Sequence, residues 1–547
     1  MWDPKSKIII LIFPFLIHNG GAFTRIDPLV ETKLGLIRGL RASDGDYSMF
    51  MGIPYATVNE SNPFGPSKPH PGFDETFEAY DDSSVCPQVE EFGNSIVGSL
   101  DCLRLNVYVP NTANSQNPLA VMVWIHGGSF RYGSGGRQIH GPRFLVKQDI
   151  ILVTLNYRLG PYGFMCLGTT DVPGNQGFKD QQLALRWIKD NIGSFGGDTN
   201  KITIFGESAG GASVDFHLIY GQENLFDKVI IQSGTSVSPW GLYEPDTSAP
   251  LKLAENLGLP TSDTDEALEF LARTDLKLVL ASAIELNLQL RPCVEQHFDD
   301  VETFIYDYPI NIQNSNLGRM PILIGHTSDE MSGFFERTTS EEYAVLNVFY
   351  DTLKDAFNFE NDDLVEMETY IRHFYIGDEA FSAEVEQDLT IFASDFNFNY
   401  PAVRTINKYV NSGATNVYYY VFSYDGDRPF FKILNNITSP GAGHADEIGY
   451  LFDVSFMDQK PSDEDQLIID RITTLWTNFA KYGQPVPQVT ELLPVQWPAV
   501  TKQTQYYLNI DSELEVKKRI FKQRMTMWNL FYKINEKFQI GYRDTDE

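Results

Sequence analysis

Positive charge is scarce in this chain: 42 Lys+Arg stand against 73 Asp+Glu over 547 residues, a formal net charge of −31 at pH 7. A surface of that sign repels phosphate backbones and anionic lipid, which argues against nucleic-acid binding and against docking on membranes. Long apolar runs are missing as well. Ile8–Ile17 is a run of ten, whereas a membrane-spanning helix needs about 20 residues. With Lys5 and Lys7 before it and Gly20, Gly21 and Ala22 after it, this run reads as a cleaved secretory signal over residues 1–22. No later run reaches spanning length, and the end Tyr542–Glu547 lacks a K-D-E-L-type retention signal. The expected product is a soluble, exported protein, residues 23–547. In that compartment Asn59-Glu60-Ser61 and Asn436-Ile437-Thr438 are glycan acceptor sequences.

Cysteine is scarce too, with four in all. Cys86 and Cys102 flank a polar, Gly-containing loop that has little core of its own, so a local disulfide there would stabilise it. Cys166 and Cys293 sit among apolar or Pro neighbours and are expected to remain buried free thiols rather than a second bridge. Internal repeats and low-complexity linkers are absent, which favours one elaborated domain over several.

What the chain does carry centres on Lys201–Val214, K-I-T-I-F-G-E-S-A-G-G-A-S-V. Ile202–Phe205 is a strand signal, Gly206 to Gly210 a tight turn, and from Ala209 onward small and apolar residues start a helix. Ser208 stands at the apex, held in a strained turn with its hydroxyl away from the sheet and helix N–H groups behind it. Upstream, the strand signal Ala120–Ile125 ends in His126-Gly127-Gly128-Ser129-Phe130, a glycine turn whose freed amides can converge on one point.

The surrounding pattern alternates strand and helix. Leu105–Val109, Ile150–Asn156 and Lys228–Gln232 read as strands and Asp180–Ile192 as a helix; Met320–Ile324 and Val417–Phe422 resume the strands. This predicts an α/β fold with a central, mostly parallel twisted sheet flanked by helices. Lys33–Tyr55 reads as an antiparallel meander. Leu251–Leu259, Asp265–Ala272 and the acidic block 341–400 read as helical insertions over the carboxyl end of the sheet, Ser462–Lys481 as a long helix, and 516–537 as a closing helix.

A serine hydroxyl needs a base and the base needs an orienting acid, in the chain order Ser, acid, His for a sheet of this kind. Of the five histidines after Ser208, His444 lies in a small-residue loop, Gly441-Ala442-Gly443 before it and Ala445-Asp446-Glu447 after it. His217 points away on the helix leaving the elbow. For the acid, the strand Met320–Ile324 runs on to Asp329 and Glu330, between which the residues alone do not decide.

Taken together, Phe50–Ala56 (F-M-G-I-P-Y-A), Asp101–Pro110 (D-C-L-R-L-N-V-Y-V-P), Asn156–Gly160 (N-Y-R-L-G), His126–Phe130, Phe195–Val214, His444–Phe452 and Trp476–Gly483 resemble the type-B carboxylesterase/cholinesterase family of α/β-hydrolases. The resemblance runs from about Gly35 to Trp497. It implies an α/β-hydrolase fold with helical insertions over an active-site gorge, and hydrolysis of a small-molecule carboxylic ester through an acyl-enzyme. It further implies Ser208 as nucleophile, His444 as base and Glu330 as acid, oxyanion donors from the N–H groups of Gly128, Ser129 and Ala209, and a Cys86–Cys102 bridge. No cofactor or metal is implied, and the oligomeric state is left open.

The chain departs from the family pattern at several positions. Ser129 stands where Gly or Ala is usual, Met331 where a glycine follows the acid, and Pro63 where an arginine is common. Leu259 and Phe270 occupy the places of the family's second disulfide. Tryptophan is absent between Cys86 and Cys102, where cholinesterases place the indole that contacts choline, so a quaternary ammonium site is not expected. The elbow reads G-E-S-A-G, whereas juvenile hormone esterases resemble G-Q-S-A-G. Trp240 matches a position lining the acyl pocket. A secreted carboxylesterase of moderately apolar esters is the expectation, and a catalytically silent, neuroligin-like binding homologue is the alternative.

Overall fold

The computed structural model describes residues 28–543 apart from 91–92, 94, 313–314, 319, 338 and 458. The expected secretory signal lies outside the described residues.

Eleven strands form one sheet, numbered here along the chain: β1 (Leu40–Arg41), β2 (Tyr47–Pro54), β3 (Arg104–Pro110), β4 (Leu119–Ile125), β5 (Ile151–Leu155), β6 (Gly197–Glu207), β7 (Lys228–Gln232), β8 (Ile322–Thr327), β9 (Val417–Phe422), β10 (Tyr506–Ile510) and β11 (Leu514–Lys518). Their spatial order is β11-β10-β9-β8-β7-β6-β4-β5-β3-β2-β1. From β5 to β10 every pair is parallel, and antiparallel pairs close both flanks. The central strands are buried on both faces, and alternate residues feed two cores. Val121, Val123, Ile125, Ile202 and Ile204 pack on one side; Met122, Trp124 and Phe205 pack on the other.

The helices that place the site are α1 (Gln176–Asn191), α2 (Ala209–Tyr220), α3 (Leu276–Glu285), α4 (Asp463–Tyr482) and α5 (Lys522–Ile534). Ser462 caps α4 by accepting the Asp465 N–H, and Gly483 ends it with a left-handed φ of 71°. α4 lies on the Trp124 side, and its Trp476 Nε1–H donates to Gln232 Oε1 at the end of β7 (3.0 Å).

The structure corrects three expectations. Residues 516–518 belong to β11, which pairs with β10 as a hairpin, and the closing helix begins only at Lys522. Cys166 and Cys293 are not free thiols: they form a disulfide across 127 positions, beside the expected Cys86–Cys102 bridge. Gly174 makes room for the second bridge, since a Cβ there would fall 2.6 Å from the sulfur of Cys166 and 2.8 Å from that of Cys293. The antiparallel meander is also divided. Leu29–Thr32 and Gly35–Arg38 pair in a small separate sheet, while β1 and β2 join the large one.

Candidate active site

Ser208 sits between β6 and α2 with φ 58° and ψ −123°, outside the ordinary helix and strand regions. Its N–H donates to Gln232 O (2.9 Å), which pins the turn to β7. The elbow presses against β4 so closely that a Cβ on Gly210 would lie 2.0 Å from Ile125 O, and one on Gly206 2.5 Å from the same oxygen. Only glycine fits at these positions. Ser208 itself is half-exposed, between the buried Glu207 and Ala209.

Beyond β4, the His126–Phe130 turn runs beside the serine: a Cβ on Gly127 would lie 3.1 Å from Ser208 Cβ. Ser129 and Phe130 take left-handed φ of 55° and 60°, a region that disfavours side chains. Neither the Gly128 nor the Ser129 N–H meets a backbone carbonyl among the described residues. The His126 imidazole is stacked on Tyr157 (4.4 Å), and burial pushes it down to about 4, so it is neutral at pH 7.

Beyond the end of β8, Glu330 is fully buried. Its Oε1 accepts the Thr327 N–H (2.8 Å), and its Oε2 lies 2.5 Å from His444 Nδ1. The His444 N–H donates to the Glu330 backbone oxygen (3.1 Å), so the loop is held to the acid by main chain and side chain alike. Met331 does not displace the carboxylate; its N–H donates to Ser394 Oγ (3.0 Å). Asp329 faces elsewhere and accepts from Gln387 (3.4 Å). Asp446 is occupied by the N–H groups of Phe431, Lys432 and Gly443.

His444 and Ser208 line one cavity of about 300 Å³, together with Gly128, Tyr132, Phe431 and Ile448. Ser208 Oγ makes no hydrogen bond to His444 among the described residues; the free imidazole nitrogen, Nε2, lies 3.2 Å from Glu207 Oε1. Catalytic hydrogen bonds are often loose without substrate and tighten around the reacting group. The proximity of Glu207 to His444 escaped the sequence reading, although its place in the elbow, next to the serine, was visible.

Burial alone would pull the His444 imidazole down, but the carboxylates of Glu207 and Glu330 outweigh it and hold the group well above its ordinary value. Burial works to raise Glu330, yet the neighbouring imidazole holds that carboxyl below its usual range. Behind them, burial lifts the Glu447 carboxyl to about 7; it accepts from Gln232 Nε2 (3.0 Å). Phe398 covers the imidazole (4.7 Å) and contacts Trp240 (5.7 Å), whose Nε1–H donates to Asn397 O (3.2 Å). Trp240 therefore approaches the site through Phe398 while it also packs against the larger hydrophobic core.

A serine on a strand–helix elbow, followed along the chain by a buried carboxylate and a histidine on the same sheet edge, defines an α/β-hydrolase. The model of the carboxylesterase family matches residues 26–528. Juvenile hormone esterase of Heliothis virescens is 31% identical, aligned over 90% of this chain and 92% of its own length. Bile salt-activated lipase of Rattus norvegicus is 30% identical over 92% and 84%, and esterase FE4 of Myzus persicae 32% identical over 82% of each. Among solved structures, juvenile hormone esterase from Manduca sexta with OTFP covalently attached superposes with a TM-score of 0.80 at 29% identity, covering 93% of this chain and all of that one. The chain belongs to the carboxylesterase family, and it is a carboxylic ester hydrolase.

Proposed function

We propose that Ser208, His444 and Glu330 are the nucleophile, base and acid of a two-step ester hydrolysis. Ser208 Oγ attacks the ester carbonyl as His444 Nε2 takes its proton. The oxyanion is held by the N–H groups of Gly128, Ser129 and Ala209. His444 then passes the proton to the departing alkoxide, and in the second step it activates water against the acyl-enzyme. Glu330 stays ionised and stabilises the imidazolium. The observation that carries this reading is the 2.5 Å contact between His444 Nδ1 and Glu330 Oε2 behind a cavity that Ser208 shares.

The substrate we assign is a small, moderately apolar ester, such as a xenobiotic, a dietary ester or a volatile acetate. The apolar walls of the cavity and the lack of tryptophan between Cys86 and Cys102 support this. Secretion with removal of residues 1–22 and glycans on Asn59 and Asn436 complete the proposal. Two disulfides agree with export, no helix among the described residues is long and apolar enough to cross a membrane, and both asparagines are exposed.

A fluorophosphonate probe tests the assignment directly. The native protein is expected to be labelled at Ser208 and to hydrolyse p-nitrophenyl acetate; Ser208→Ala should do neither. Absence of labelling in the native protein would favour a silent binding homologue.

A further inference from the structure

The cavity around Ser208 is lopsided. His444, Ala445, Ile448 and Phe431 line it, whereas Trp240 and Phe398 do not. In the proposed reaction His444 must deliver its proton to the departing alkoxide, so the alcohol half of the ester lies on the imidazole's side of the carbonyl. The cavity is therefore the room open to the alcohol.

A second chamber of about 280 Å³ adjoins this cavity and shares two walls with it, Val89 and Tyr132. The shared wall is held firmly. Gln88 Nε2 donates to Gly133 O (3.0 Å) and the Gly133 N–H donates to Gln88 Oε1 (2.7 Å), which ties the neighbours of Val89 and Tyr132 to each other. The Cys86–Cys102 bridge closes the loop that carries Val89. The Tyr132 ring also stands against the glycine turn, since a Cβ on Gly128 would fall 2.9 Å from Tyr132 Cδ2. Gly127 and Gly128 thus link the serine to this wall without a side chain between.

Beyond the wall the chamber is mostly hydrocarbon: Leu280, Ala283 and Ile284 of α3, with Leu288 and Leu290 from the segment that follows. Arg131 is the one charged residue in the lining. Leu280, Ala283, Leu288 and Leu290 are buried in a hydrophobic cluster of their own, backed by Tyr162 and Leu253, so the recess is supported from behind. An apolar recess of this kind rewards each methylene placed in it by about 0.8 kcal/mol.

We propose that the substrate is an ester of a medium-chain, unbranched alcohol, whose alkyl tail passes Val89 and Tyr132 and ends between Leu280, Ala283, Leu288 and Leu290. This rests on the ester-hydrolysis reading and narrows it to one class of alcohol. Binding energy from a tail remote from the reacting carbonyl appears in kcat/KM.

The test is a chain-length series on the full-length mature protein, using the acetate esters of butanol, hexanol, octanol and decanol. kcat/KM should rise by about fourfold per methylene as the tail enters the chamber. Ala283→Phe fills the chamber, and Ile284→Asp places a charge in it at a position that is 48% exposed and so compatible with folding. Each should lower the ratio of kcat/KM for decyl over butyl acetate at least tenfold, a ratio that a general loss of activity leaves alone. The ratio for methyl decanoate over methyl butanoate, which varies the acid, should stay in place. A decyl-to-butyl ratio unchanged in Ile284→Asp, or a change confined to the acid series, overturns the proposal.

Titration calorimetry separates this outcome from a failure of the triad assignment. Ser208→Ala should bind decanol more tightly than butanol, by about fourfold per methylene, and adding Ile284→Asp should remove that gain. If the triad assignment is wrong, Ser208→Ala keeps its turnover and the alcohol series still reports on the chamber. If the chamber assignment is wrong, Ser208→Ala is inactive and the gain survives Ile284→Asp.

Discussion

His444 Nε2 lies 3.2 Å from Glu207, the residue immediately before Ser208, so the imidazole is set between two carboxylates with Glu330 on its other side. Both carboxylates favour the imidazolium. The basic form that the proposed mechanism needs to accept the serine proton is therefore scarcer at neutral pH than for an ordinary histidine. The acidic limb of kcat/KM should lie above pH 6.5, with activity rising as pH increases through it. Glu207→Gln removes one favouring charge and should move that limb to lower pH by about one pH unit or more. A limb that stays in place in this variant would show that Glu207 does not act on His444.

Glu330→Gln keeps the shape of the acid and removes its charge. In the proposed mechanism the imidazolium formed in the transition state would lose its counter-ion, and kcat should fall by about 10³–10⁴-fold. Stopped-flow kinetics on p-nitrophenyl acetate, with circular dichroism to confirm folding, measures the effect.

The elbow should tolerate little added volume. Gly210→Ala places a methyl 2.0 Å from Ile125 O, and β4 is packed on both faces and has no room to retreat. A loss of about 1–3 kcal/mol in urea denaturation, with reduced turnover, is expected.

All four cysteines are paired. Protein unfolded without reductant should give no signal with a thiol reagent, and four thiols after reduction. Replacing Cys166 and Cys293 together by Ala should cost about 2–5 kcal/mol, read as a lower Tm.

Burial pushes the imidazole of His217, which bonds to Gln181 Oε1 (2.9 Å), down to about 3. The unfolded chain therefore binds a proton below pH 6.5 that the folded chain refuses until about pH 3. Across that window this residue makes stability fall with pH, by up to about 1.4 kcal/mol per pH unit. His217→Gln should flatten the pH dependence of denaturant midpoints there, whatever its effect at pH 8.

The elbow, the glycine turn after β4 and the loop around His444 were all legible, because each is a local pattern of small residues beside a strong strand or helix signal. Glu330 was separable from Asp329 only by family resemblance; in space it is the carboxyl that turns back under the Thr327 N–H. What stayed hidden depends on contacts between distant positions. Cys166 and Cys293 are 127 residues apart with nothing local to pair them. The β10–β11 hairpin was missed because its second strand runs almost directly into α5 and shares its mix of charged and apolar residues.

A broad sheet has two rims where a stray chain can add itself and begin a fibre. In this one, the rim strand β1 has two residues, and the opposite rim, β11, presents Glu515, Lys517 and Lys518 to solvent, with Lys517 and Glu515 paired at 2.6 Å. Neither offers a long, flat, apolar template. Pairing with a second copy, strand by strand, is therefore disfavoured at both rims.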